Sequence, residues 1–270
     1  MKNYIGNIID GWVSFGYWSV GFFIVFGVLA KFYPCNPSQP LIRKGMLTDI
    51  LYAIIVPIFG NFVNLFFLAV GFGLLFHDAT GEQLSEYLTN GYGYLGSLPL
   101  WLQAAFVFVV SDFILYWTHR IFHGRKLWKW HAIHHSPTEI DWLTAQRFHP
   151  INTWATFTLV NALMILAGFS PQAIAAMGAF NIIYSAMVHA NLNWTFGKFV
   201  YLFASPVFHR WHHTTQKEGL DKNFAPTFPL LDLMFGTFYM PEGKLPEHYG
   251  IKGSDIPESF IGQIVYPFKK

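Results

Sequence analysis

Four stretches of this 270-residue chain carry no charged side chain: 11–30, 50–76, 91–111 and 151–188. A helix that crosses a bilayer needs about 20 mostly apolar residues, so each run is long enough to span one. The first is too long for the apolar region of a signal peptide, and no small-x-small cleavage pattern follows it. It is therefore expected to stay as an anchor. Pro57, Asn61 and Asn64 in the second run predict a kinked helix with one polar stripe. Gly168-Phe169-Ser170-Pro171 interrupts the fourth run with a turn signal. It predicts two shorter helices forming a hairpin, either spanning or re-entrant.

Loop charges orient these runs. Lys31, Arg43 and Lys44 follow the first, and Arg120, Arg125, Lys126 and Lys129 follow the third. The loop after the second, 77–90, holds Asp78, Glu82 and Glu86 and no Lys or Arg. Basic loops stay in the cytoplasm, so residues 31–49, 119–150 and 189–270 are expected there. Tyr92, Tyr94 and Trp101, at a span end, fit an interfacial aromatic belt. No linker or repeat divides the chain, and 1–270 reads as one domain. The expected fold is all-α: a polytopic membrane bundle of about four spans, the last a hairpin, with a cytoplasmic helical cap.

Composition agrees. Charged residues make up 12% of the chain, against about 25% in an ordinary soluble domain. A net charge of +2 gives no reason to expect a nucleic-acid partner. The single cysteine, Cys35, excludes an intramolecular disulfide and a cysteine-ligated cluster.

Histidine is the unusual residue. Of twelve, eight fall in three clusters: His119 and His123; His131, His134 and His135; His209, His212 and His213. Residues three and four apart share a helix face, so each cluster presents its imidazoles together. All three lie on the same predicted side of the membrane. Imidazole suits Zn, Cu, Fe and Ni, and eight ligands exceed what one ion takes, so two metal ions are implied. A zinc protease would have Glu after the first His of the pair, where this chain has Arg120. A carboxylate-bridged di-iron bundle would need Glu-x-x-His motifs at the clusters, and none is there. A nearly all-imidazole site against a membrane fits dioxygen chemistry on a lipid.

These residues carry a family resemblance. The pattern His-x3-His, His-x2-His-His, His-x2-His-His resembles the fatty acid hydroxylase/sterol desaturase superfamily of membrane di-iron oxygenases. The similarity extends to Ser111-Asp112 with Tyr116-Trp117 before the first cluster, and to Trp130, Ser136 and Pro137 around the second. Arg147, His149 and Pro150 continue it, and so do Ser205-Pro206, Thr214, Asp221, Asn223-Phe224 and Phe235-Gly236-Thr237. It covers residues 100–242, with one departure: Ala225 stands where the pattern has Gly. The resemblance implies two irons, replaceable by zinc on purification, held by the eight clustered histidines and a ninth, His189. It implies O2 as co-substrate and a membrane lipid as substrate, in the endoplasmic reticulum or the bacterial inner membrane. No dinucleotide fingerprint or cluster cysteine is present, and the first 100 residues are taken up by spans rather than a haem domain. Electrons are therefore expected from an external donor of cytochrome b5, ferredoxin or reductase type, docking on the basic cap.

Asp112 lies two helical turns before His119 and is expected to hold a ligating histidine by hydrogen bond. His149, Asp221, Asn223 and Asp232 are expected to support the ligands in the same way. Trp211 reads as packing, and His77 and His248 as bystanders. The expected reaction is oxidation of a lipid C–H bond by hydroxylation. Desaturation or ether cleavage on the same site is the alternative. A histidine-rich metal transporter would need polar spans, and a non-catalytic lipid-binding protein would not need intact clusters.

Overall fold

The computed structural model describes the backbone of residues 2–269 and the side chains of residues 16–58, 60 and 62–269. The side chains of Asn61 and of residues 11–15 in the first predicted span lie outside the described set. Among the described residues the chain is helical and has no strand; one isolated bridge pairs Thr214 with Tyr249. The long helices are α1 (Lys2–Phe32), α2 (Met46–Leu75), α4 (Leu100–Phe122) and α7 (Pro171–His189). A short α3 (Gly81–Asn90) precedes α4, α5 (Trp128–His135) follows it, and α6 (Pro150–Leu166) precedes α7.

α2, α4 and α7 are long and apolar enough to cross a membrane, while Gly16–Phe32 of α1 and all of α6 are shorter apolar helices. Their outward faces carry large bare side chains, among them Phe62, Phe66, Val109, Phe113, Ile182 and Ile183. Contiguous apolar surface of this extent is stable in lipid, not in water. The chain is an integral membrane protein.

One expectation needs correction. The third span is not 91–111. Gly91 and Gly93 adopt φ of 78° and 62°, which ends α3 and turns the chain, and Pro99 caps the new helix. The span is α4, which continues through Asp112 and His119 to Phe122. An unbroken apolar run does not reveal a glycine turn inside it. Tyr92 packs on the bundle. Its ring packs among Phe72, Phe76 and Tyr87, and its hydroxyl donates to the carbonyl of Leu166. Tyr94 and Trp101 are exposed as expected.

The expected hairpin forms. α6 contains a π-helical turn, Trp154–Thr158, and gives way at Gly168 (φ 102°) to α7, whose N-cap Ser170 accepts from the Ala173 N–H. Gly91 and Gly168 pack closely enough that a Cβ on Gly91 would lie 2.4 Å from the Gly168 carbonyl. At the opposite end of the bundle sit α5, α8 (Pro206–His212), α9 (Leu230–Met234) and α10 (Phe260–Val265), joined by loops and 3₁₀ turns. These form the cap.

A buried ionic network joins cap to bundle. Asp49, in the first turn of α2, accepts from both Arg43 and Arg147. Arg43 also donates to Asp141 (2.7 Å) and Thr144 (2.7 Å), and Arg147 donates to the Gly45 carbonyl (2.9 Å). Asp49 is fully buried. Removing one partner from such a network strands the others without a counter-charge and typically costs about 3–5 kcal/mol. Asp49→Ala is accordingly expected to lower the unfolding free energy by about that amount. Denaturant unfolding of the detergent-solubilised protein measures it, and a loss within error of zero would contradict the network's role.

Candidate metal centre

The clustered histidines converge, but not cluster by cluster. Nitrogens of His119, His123, His131, His135 and His212 lie within 4.8 Å of one another, and those of His134, His189, His209 and His213 form a second such group. Both groups contain histidine only. The helical repeat explains the sorting. On α5, His131 and His135 are four apart and share a face, while His134 points away from them into the other group. On α8 the division reverses: His209 and His213 go to the second group and His212 to the first. The groups adjoin, with the rings of His135 and His213 stacked 4.4 Å apart.

Hydrogen bonds set the tautomers. The Nδ1 of His119 faces the Phe224 carbonyl (2.8 Å), that of His134 the Arg147 carbonyl (3.1 Å), that of His189 the Ser185 carbonyl (2.7 Å) and that of His212 the Lys222 carbonyl (2.7 Å). His131 Nδ1 faces Asn152 Oδ1 (2.7 Å), and His123 Nδ1 faces Asp221 Oδ1 (3.0 Å). These oxygens only accept, so each Nδ1 carries the proton and donates it. Each Nε2 is then left with a bare lone pair.

The lone pairs point at one another. Nε2 of His119 and His131 are 3.1 Å apart, and those of His134 and His189 are 3.2 Å apart. With both protons on Nδ1, neither contact is a hydrogen bond. His209 Nε2 lies 3.0 Å from His189 Nε2, and His135 Nε2 lies 3.2 Å from His131 Nε2. His123 Nε2 and His212 Nε2 are buried with no partner at all. Two nitrogens bound to one ion at the usual metal–imidazole distance of about 2.0–2.1 Å lie roughly 3–3.4 Å apart. The donor set, its tautomers and its spacing all fit a cation in each group.

Burial keeps the rings neutral. His123, His131, His134, His135, His209, His212 and His213 are all held below the ordinary histidine value, first by loss of water; among the six other than His123, like charge on neighbouring histidines adds to the shift. The hydrogen bond from His123 in turn holds the Asp221 carboxyl below its usual range.

The expected supporting residues divide. Asp221 meets His123 as expected. Asp112 does not reach a histidine: it accepts from the backbone N–H of Phe228 (3.1 Å). His149 is the N-cap of α6, accepting from the Ile151 N–H and bonding the Ile264 carbonyl. Asn223 grips the Phe208 and Tyr239 carbonyls and accepts from the Tyr239 N–H, tying α8 to the tail loop. Asp232 acts at one remove: it accepts from the Phe224 and Ala225 N–H groups (2.8 Å each) and so places the Phe224 carbonyl on His119. Ala225 is accommodated without a left-handed backbone. Trp211 is buried packing against Tyr239, and His77 is exposed beside Asp78.

Sequence reading missed Asn152, which no motif marks, and the backbone carbonyls, which no sequence displays. It also missed Arg210, fully buried, which donates to the carbonyls of Ile140 (2.8 Å) and His189 (3.3 Å) and to Tyr249 (3.0 Å). A cavity of about 500 Å³ opens beside the five-histidine group, lined by His123, His135, His212, Trp128, Arg125 and Lys252 among others.

The fatty acid hydroxylase family model matches residues 104–237, the segment that carries every residue of both groups. Over this segment the chain belongs to the fatty acid hydroxylase superfamily. It is 28% identical over 173 residues to an ornithine lipid hydroxylase of Rhizobium tropici, covering 64% of this chain and 52% of the relative. It is 27% identical over 208 residues to human alkylglycerol monooxygenase, covering 74% of this chain and 43% of the relative. A methylsterol monooxygenase of Arabidopsis thaliana is 28% identical over 149 residues, covering 52% of this chain and 55% of the relative. The chain thus spans about half the length of these relatives. No solved structure matches it significantly.

The lowered histidine values make stability depend on pH. Below about 6.5 the unfolded chain binds protons that the buried imidazoles refuse. Their contribution is complete above that value and is lost as pH falls through the lower folded values. Chelator-treated protein is therefore expected to unfold more easily at pH 5 than at pH 8, as read by thermal or denaturant midpoints. An unchanged or higher midpoint at pH 5 would contradict the neutral cluster.

Proposed function

We propose that this chain is a membrane oxygenase that uses two irons and O2 to hydroxylate a C–H bond of a lipid. The observation that carries the reading is the paired, inward-facing Nε2 lone pairs of two all-histidine groups. His119, His123, His131, His135 and His212 would hold one iron, and His134, His189, His209 and His213 the other. The names of the superfamily relatives support a lipid substrate. Bound there, iron supplies the activation of O2 that no side chain provides.

The chain's own residues do the rest. The backbone carbonyls, Asn152 and Asp221 keep a proton on Nδ1 of six ligands and fix each ring, which raises the basicity of Nε2. Burial keeps the imidazoles neutral. Asp221 is largely exposed while His123 is not, so it is the ligand support in contact with solvent. Residues 1–270 act as one domain, with about four spans and the histidines on the cytoplasmic side. Electrons come from an external donor of cytochrome b5, ferredoxin or reductase type, which docks on the basic face where Arg125 and Lys252 border the cavity.

Two measurements test this. Metal analysis of the purified protein is expected to return two ions per chain, iron or zinc in its place, and about one for His212→Ala. Lipids from cells expressing wild type are expected to contain a species one oxygen heavier that is missing with His212→Ala. Loss of two hydrogens would point to desaturation instead, and loss of an alkyl chain to ether cleavage. Identical lipids together with unchanged metal content would overturn the proposal.

A further inference from the structure

The cap does not stand clear of the bilayer. Residues 199–204 and 227–234 leave Phe199, Leu202, Phe203, Leu230, Leu233 and Met234 exposed, although none belongs to a span. These two segments are joined by a hydrogen bond from the Ala204 N–H to the Thr227 carbonyl (2.9 Å), with Phe203 near Phe228 (6.1 Å between ring centroids). Both are attached to spans. Phe228 packs on Phe108 of α4 (5.0 Å), which packs on Phe180 of α7 (4.7 Å), and the Tyr184 hydroxyl of α7 donates to the Ala204 carbonyl (2.7 Å).

The attachment points give the depth. α4 starts at Leu100, and the exposed Trp101 marks the far interface. At 1.5 Å per residue, Phe108 lies about 10 Å, Asp112 about 17 Å and Trp117 about 24 Å along the helix from Trp101. A hydrocarbon core about 30 Å thick extends past all three. The apolar edge is therefore anchored at a level where the bilayer is still hydrocarbon.

Non-helical backbone at that depth is stable only if its polar groups have partners within the protein. Here they do. Asp112 accepts from the Phe228 N–H, Asp232 accepts from the Phe224 and Ala225 N–H groups, and the Leu231 N–H donates to the Phe228 carbonyl. This also explains a carboxylate in the middle of a span, where an unpaired one is costly.

We propose that the cap edge formed by residues 199–204 and 227–234 is immersed in the acyl chains of the bilayer, with Asp112 as the internal acceptor for the immersed backbone. The occupant of this face is lipid, because Phe228 and Ala204 attach it to α4 and α7, whose own outward faces are bare and apolar (Val109, Phe113, Ile182). The proposal rests on the membrane bundle and not on the oxidation chemistry.

Nitroxide labels on Phe199→Cys, Leu202→Cys and Met234→Cys test it in full-length protein reconstituted into phosphatidylcholine vesicles. The native Cys35 is buried, and the parent chain serves as its control. Labels at the three positions are expected to collide readily with O2 and poorly with a water-soluble nickel chelate, like a label on Ile182→Cys and unlike one on Lys217→Cys. Nickel accessibility equal to that at residue 217 would overturn the proposal. So would protection that vanishes when vesicles hold at most one chain, which would assign the face to a second copy of the protein.

Discussion

Two bare imidazole nitrogens held 3.1–3.2 Å apart in a buried site repel each other unless a positive charge lies between them. The structure is organised around maintaining that arrangement. In six of the nine histidines the Nδ1 proton that would otherwise be free to move to Nε2 and relieve the repulsion is committed to an oxygen acceptor at 2.7–3.1 Å. The tautomers are thereby set by groups outside the cluster, and the lone pairs stay inward.

Those outside groups are held in turn. The Arg147 carbonyl that orients His134 belongs to a residue whose side chain is anchored on Asp49, at the start of α2. The Phe224 carbonyl on His119 is placed by Asp232. The fully buried Arg210 binds the His189 carbonyl. Three buried charged residues thus lie one bond away from the histidine layer. Breaking any of them would loosen the support that orients a ring.

The site faces two environments. On one side a cavity bordered by Arg125, Lys252 and the exposed Asp221 opens beside the five-histidine group. On the other, the histidines end α4 and α7, whose flanks are bare and apolar.

The apolar runs, the hairpin turn and the eight clustered histidines were legible in the residues alone, because charge-free length and helical spacing are local properties, while His189 was marked by the family resemblance and by its place at the end of the hairpin. The glycine turn at Gly91 was not, since it lies inside an uninterrupted apolar run. Nor was the role of Asp112, whose partner Phe228 is 116 residues away. Sequence by itself determined that imidazoles would gather at the ends of membrane helices. Only the tertiary structure decided how they divide into five and four, because the helical repeat separates His134 from His131 and His135, and His212 from His209 and His213, but does not decide which histidines of other elements each one meets. Those meetings are made by residues far apart in the chain, such as His134 with His189 and His119 with His212.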